Sequence, residues 1–502
     1  MAVRTAFSGL SHRLRVALTL AAVSIGALPF ATTARADNAA TADKALAAMV
    51  RGETYFRDKL SVQGAYTWSY SADLTRRKGE GGGTISASLG WVQPPGTPAV
   101  GAAFLRVYKS TGDAAFLRAA QDTAHILVST QLLSGGWYYW IETDPQLRAT
   151  WCYRSLMQTP KQCEEIKGNK IKNNTLLDDN NTQSALGFLL WMDEVLDGSD
   201  AQIREAVQYG LGKLVDAQYP NGAWPNILRG SRPKELNKTI DPKLTASIPA
   251  EPWPRAWVKP HEPVYFILND NAMRDVVRLL LAAESRFKDP KYLDAAKRTG
   301  DFLIAAQLPA PQRGWAQQYD VRMNPVWGRV FEPPALASRE TAGCLDTLLQ
   351  IYARTEDRRY LDHAQEAAAW LKTTRLSDGT WSRFYELGTN KPLYVDEKNG
   401  VSYSDAGLLS HYALKSTFDI PEVLGREESM AAGGADKLRP VWPDETDDWS
   451  DIELETQVRK LIEQQDDQGR WLRDGWIKSA DFVEAMFALA RYRDKVAAPK
   501  QQ

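Results

Sequence analysis

The chain has 502 residues, 44% of them hydrophobic and 25% charged, with 61 Lys+Arg against 62 Asp+Glu and a formal net charge of −1. Length and apolar content exclude a disordered tail or a disulfide-stapled mini-protein, and the balanced charge with no polybasic block argues against a nucleic-acid binder. A length that ordinarily divides into about three domains can also be built from repeats, so internal periodicity decides the architecture.

The first 36 residues read as an export signal. Arg13 and Arg15 precede an apolar run from Val16 to Phe30, and Ala34-Arg35-Ala36 offers a small-residue cleavage site before Asp37. The run is shorter than the ~20 residues of a bilayer span and Pro29 interrupts it. The mature protein is therefore expected to begin near Asp37, outside the cytoplasm in the periplasm or the medium, with no membrane anchor. In that oxidising setting Cys152 and Cys163, in one polar loop, could close a disulfide, while Cys344 among helix-spaced apolar residues reads as a buried thiol. Five scattered histidines give no zinc-ligand spacing, and GEGGGT (79–84) lacks the Lys-Ser/Thr of a phosphate loop.

From residue 100 onward one pattern recurs. Four segments run from a short acidic turn to a Gly/Trp corner: Asp113 to Trp137, Asp200 to Trp224, Asp289 to Trp315 and Asp357 to Trp381, with separations of 24, 24, 26 and 24 residues. Between the two ends, apolar residues recur at three and four, as in 116–133 and 292–308, and a second striped segment precedes each acidic turn, as in 184–196 and 272–287. Each unit is thus helix, tight turn, helix, corner. Residues 43–60 and two further helices near 450–465 and 480–493 supply parts to close or cap the array. The chain is expected to be mainly α, its helical hairpins stacked into a complete or partial α/α toroid, residues 37–497 forming a single catalytic domain. Long Gly/Pro-rich loops with some short strands separate the units, and loops of that length in compact proteins are usually functional.

Because the unit repeats, the residues just before each first helix emerge at one end of the array. There the copies carry 91–98, 175–183, 266–273 and 332–341, bringing Asp178, Asp179, Asn180, Asn269, Asp270, Arg339 and Glu340 to one mouth, with Arg329 nearby. Helix capping accounts for any one such Asp or Asn. It accounts less well for adjacent pairs in two copies beside an arginine-rich third. A set of hard oxygen ligands without imidazole or thiolate points to calcium or magnesium. The corner tryptophans are expected to be packing residues, whereas Trp91 and Trp140, off the pattern, are candidates for lining a cleft.

Five segments, LDDNNTQ (177–183), DAQYPNGAWP (216–225), FILNDNAM (266–273), GWAQQYDVRMNPVWGRVFEPPALASRET (314–341) and WSRFYELGTNKP (381–392), resemble in their order the pectate lyases of polysaccharide lyase family 10. The resemblance runs from about 65 to 392 and is weaker beyond. It implies a calcium-dependent lyase that breaks a polyuronate such as polygalacturonate by β-elimination. Site segments would be 175–183, 266–273, 314–341 and 381–398. By motif, Asp178, Asp179 and Asp270 would hold Ca2+, Asn269, Arg339 and Arg383 would bind substrate, and Arg329 would take the C5 proton. A guanidinium with a pKa above ~12 is a costly base, so activity should rise above neutral pH. Arg329 and Arg383 could instead be ion-pair partners of carboxylates such as Glu332 and Glu340.

Two departures bear on specificity. Where the resemblance leads one to expect an arginine after RFYELGTNKPLYV (383–395) the chain has Asp396-Glu397-Lys398, Lys398 being the available cation, and a long insert occupies 228–262. The partner implied is an acidic polysaccharide, bound by a monomer, with no nucleic acid and no membrane. Rival readings are an α/α-toroid glycoside hydrolase using paired Asp carboxylates and a non-catalytic polysaccharide-binding protein.

Overall fold

The computed structural model describes residues 30–157, 159–166, 171–229, 238–249, 253–260, 265–434 and 450–497. Most of the proposed signal, residues 1–29, lies outside them. Twelve principal helices run in chain order: α1 (Phe30–Tyr55), α2 (Thr97–Thr111), α3 (Ala114–Ser129), α4 (Asn181–Val195), α5 (Ala201–Ala217), α6 (Ala272–Phe287), α7 (Pro290–Ala306), α8 (Ser338–Thr355), α9 (Arg358–Thr373), α10 (Ile420–Ala431), α11 (Asp451–Gln464) and α12 (Ser479–Ala497). No helix among the described residues is long and apolar enough to cross a membrane.

The pairs α2/α3, α4/α5, α6/α7 and α8/α9 are the four expected hairpins, and neighbouring first helices pack side by side, α2 on α4, α4 on α6 and α6 on α8. Each acidic turn works as a cap: Asp113, Asp200, Asp289 and Asp357 accept hydrogen bonds from backbone N–H groups of the second helix's first turn. Each corner tryptophan is buried and donates its indole N–H to a carbonyl in the last turn of the helix before it. The pairs are Trp137 to Leu127 (3.0 Å), Trp224 to Leu214 (2.9 Å), Trp315 to Leu303 (2.8 Å) and Trp381 to Leu371 (2.8 Å). The corner also explains its glycine. Gly222 has φ +93°, and a Cβ there would meet the Arg298 carbonyl oxygen at 2.0 Å.

A glutamine ties each unit to the next. Gln131 Nε2 donates to Gly135 in its own corner and to Ala206 in α5, and Gln218 Nε2 repeats this with Gly222 and Ala295 in α7. Gln465, after α11, does the same with Gly469 and Ala48 in α1, and Trp471 donates to Leu461 at 2.9 Å. The carboxyl-terminal helices therefore join the amino-terminal one by the same device that links internal units.

Strand pairing confirms that closure. In each unit the strand before the first helix pairs, antiparallel, with the strand after the corner: Leu89–Trp91 with Trp140–Glu142, Thr175–Leu176 with Ile227–Leu228, Phe266–Ile267 with Gln318–Tyr319, and Leu336–Ala337 with Phe384–Tyr385. Trp476–Lys478, before α12, pairs with Ser69–Ser71, which follows α1. Helices α12 and α1 thus form one unit assembled from the two ends of the chain. The architecture is a mainly helical α/α toroid with one hydrophobic cluster running through its pairs, and the short strands mark a single rim.

Two expectations about cysteine have their answer here. Cys152 and Cys163 are disulfide-bonded, and Cys344 is a buried free thiol whose pKa burial raises.

Candidate active site

The rim is built from two turns with the same backbone. Leu177 and Leu268 have φ, ψ of −99°, −8° and −102°, −4°. Asp179 (48°, 34°) and Asp270 (53°, 28°) then enter the left-handed region, followed by Asn180 and Asn271 at φ 57° and 58°. Asn and Asp tolerate that region better than other side chains, so backbone shape is one reason for their presence. Capping is not: neither Asn180 nor Asn271 makes a side-chain cap bond to the helix it starts.

Free of that task, the acids converge. One carboxylate oxygen from each of Asp178, Asp179 and Asp270 lies within 4.8 Å of the others, and all three side chains are partly buried. Burial first, then the Asp270 charge, raises the pKa of Asp178, whose Oδ2 accepts the Tyr139 hydroxyl at 3.1 Å. Burial followed by the charges of Asp178 and Asp270 pushes Asp179 up to about 7. Such mutual repulsion is what a divalent cation relieves, and three hard oxygen donors fit calcium or magnesium.

Guanidinium groups flank the acids on the other side. Arg339 Nη1 is 2.9 Å from Asp270 Oδ1, and Arg329 Nη2 is 3.8 Å from Asp270 Oδ2. Arg329 also forks onto Glu332, with Nε and Nη2 at 2.8 and 2.6 Å from Oε1. Burial opposes its charge, but Glu332, Tyr412 and Asp270 outweigh it and hold the guanidinium's pKa above its ordinary value. The ion pair weighed from sequence is thus formed, beside the acid cluster rather than away from it.

Arg383 sits differently. Its side chain is only 2% exposed; it pairs with Glu340 at 2.6 Å, donates to Asn269 Oδ1 at 3.1 Å, and lies 4.2 Å from the centre of the Tyr412 ring. The expectation that it meets a sugar directly runs into this cover: the residue is spent holding Asn269 in place. Lys398 lies in an exposed turn closed by its own N–H on Asp396 Oδ1, and no hydrogen bond or ion pair among the described residues joins it to the cluster. Of the aromatic candidates, Trp91 is buried and pairs across strands with the half-exposed Trp140, their rings 5.5 Å apart.

Three contributors were not singled out from sequence. Tyr139 touches Asp178, and Gln317 Nε2 contacts Asn269 Oδ1 (2.9 Å), Glu340 Oε1 (3.1 Å) and the Tyr412 hydroxyl (2.9 Å). Tyr412 in turn donates to Glu332 at 2.9 Å, linking the two arginine–glutamate pairs. Gln317 lies inside a quoted motif; Tyr412 comes from a distant loop with no local signal.

With the rim's acids and arginines in place, the sequence can be set beside known proteins: a family model matches the middle of the chain. That model is described as pectic acid lyase and matches residues 142–380, which hold both rim turns, Arg329 and Arg339. No curated protein matches the chain. Among solved structures, a family 10 polysaccharide lyase from Cellvibrio cellulosa superposes with a TM-score of 0.44 and 16% identity, covering 67% of this chain and 97% of its own. An aspartate mutant of a family 10 polysaccharide lyase from the same organism, in complex with trigalacturonic acid, gives 0.44 and 16% over 67% and 98%. A GH76 α-mannanase from Bacteroides thetaiotaomicron gives 0.43 and 11% over 91% and 96%.

Proposed function

We propose that this protein is a polysaccharide lyase that cleaves a polyuronate, polygalacturonate being the first substrate to test, by calcium-dependent β-elimination. One observation carries the reading: three carboxylates within 4.8 Å of one another, with the Arg329 guanidinium 3.8 Å from one of them. Asp178, Asp179 and Asp270 would hold calcium, which when bound neutralises the uronate carboxylate next to C5 and so makes C5–H acidic. Arg339, 33% exposed, meets that carboxylate's negative charge, and Asn269, fixed by Gln317 and Arg383, orients it.

In this reading Arg329 takes the C5 proton. Its 51% exposed side chain can reach substrate, but its pairing with Glu332 keeps it protonated at rest. Proton abstraction therefore requires Arg329 to lose its own proton first, aided by nearby positive charge that offsets Glu332. The C5–H electrons form the C4–C5 double bond as the C4–O4 bond breaks, leaving a 4,5-unsaturated uronosyl end while O4 takes a proton from water and departs as the hydroxyl of the other fragment. Lys398 is not assigned a sugar.

The hydrolase alternative would use two of these carboxylates as acid and base or nucleophile and would release reducing ends with no unsaturated product. The reading further takes residues 1–36 as an export signal and 37–497 as one catalytic unit acting as a monomer outside the cytoplasm; the Cys152–Cys163 disulfide supports an oxidising compartment.

The test is a panel of polygalacturonate, methylated pectin, alginate and glucuronan, each followed by ultraviolet absorbance with calcium and with chelator. Absorbance growing only with calcium on a polyuronate supports the reading. Reducing ends released without a chromophore would place the protein among hydrolases. Amino-terminal sequencing of the exported protein checks cleavage before Asp37.

A further inference from the structure

Part of the 228–262 insert, residues 253–260, lies against the segment that carries Arg329. Trp257 donates its indole N–H to the Gly328 carbonyl at 3.1 Å, one peptide bond from Arg329, and Trp327 returns a bond from its own indole to the Pro254 carbonyl at 3.0 Å. Arg255 stacks over Trp253 at 4.4 Å and is tied to Tyr403 and Glu386, so the stretch leading into Trp257 is fastened. Despite these anchors Trp257 remains 41% exposed, and Tyr403 49%.

An indole whose N–H is already bonded to protein has only its apolar face left to offer. Large exposed aromatic rings held rigidly beside a polar cleft suit a partner that also presents a flat apolar face, and a pyranose ring does so through its axial C–H groups. We infer that Trp257 is a sugar-stacking platform for the uronate one position along from the residue at Arg329, a binding position contributed by the insert. The inference rests on the lyase reading for the identity of the sugar, while its geometry stands on the Trp257–Gly328 tether alone. It assigns to the insert part of the substrate selectivity that Lys398, in its remote turn, does not supply.

Trp257→Ala and Trp257→Phe test it with polygalacturonate and with short oligogalacturonates. For Trp257→Ala the KM on polymer should rise about three- to tenfold with kcat within about twofold of wild type, the range expected for one lost stacking contact. Trp257→Phe, which keeps a ring face but lacks the N–H, should recover most of the loss. An unchanged KM in an active Trp257→Ala overturns the inference, and so does a phenylalanine variant as weak as the alanine one, since that marks the tether rather than the face. Retardation of the proteins in native gels containing polygalacturonate separates the two levels. If wild type makes no unsaturated product, the lyase reading fails, yet retardation lost in Trp257→Ala and kept in Trp257→Phe still upholds the platform.

Discussion

The two ends of each helical pair use aspartate for opposite purposes. At the inner turn Asp113, Asp200, Asp289 and Asp357 spend their carboxylates on backbone N–H groups of the helix they start. At the rim neither Asn180 nor Asn271 caps its helix with its side chain, and Asp178, Asp179 and Asp270 beside them sit partly buried and crowd one another within 4.8 Å. An acid satisfied by the backbone stabilises the fold; acids that repel one another store an affinity for cations. The same residue type before a helix is therefore structural or functional according to the backbone it occupies.

Substitutions can break this contrast. Removing a rim acid, as in Asp179→Ala or Asp270→Ala, is expected to lower kcat/KM on polygalacturonate by about a thousandfold or more, given the weight of electrostatic stabilisation in such reactions. The Tm of Asp179→Ala without calcium should stay level or rise, because a repulsion is relieved, whereas Asp270→Ala also removes the partner of Arg339. A Tm that collapses together with activity would reassign the rim to folding. Asp178→Asn makes the first rim turn a copy of the second, whose matching position is Asn269. Calcium affinity measured by calorimetry should fall by at least about 10- to 100-fold, the loss seen for an outer partner of a metal site being the floor for a ligand.

The pH dependence sharpens the comparison. Without metal, Asp179 is raised to about 7 in the folded protein, above the ~3.9 of an unfolded aspartate. Between those values the folded chain keeps a proton that the unfolded chain has released, so this group's contribution makes the metal-free protein less stable as pH climbs from about 4 to 7. Calcium reverses the preference. Binding should expel close to a proton at pH 6 and almost none at pH 8.5, read from calorimetry in buffers of different ionisation enthalpy. Equal release at both values would show that Asp179 does not face the ion. The smallest effect lies at the inner turn: Asp113→Ala should cost ~1 kcal/mol, a Tm drop of about 1 °C in a chain this long, with kcat and calcium affinity unchanged.

Much of this was written along the chain. The Asp-to-Trp spacing of 24 to 26 residues fixes a helical hairpin because an apolar stripe at three and four can be buried only against a neighbour. Repetition then obliges one rim to collect the loops, which is why Asp178, Asp179, Asp270, Arg329 and Arg339 could be grouped without coordinates. Local pattern determined period, corner and rim.

What tertiary structure alone decided is who neutralises whom. That α1 completes a unit with α12 depends on strands more than 400 residues apart, Ser69–Ser71 and Trp476–Lys478. That Arg383 supports Asn269 and that Trp257 reaches Gly328 are pairings across intervening helices, and Tyr412 covers Arg383 from a separate loop. Periodicity reports which face of an element is buried, but a side chain's charge state and reach depend on groups brought near by folding. Those groups leave no mark at any fixed spacing in the sequence.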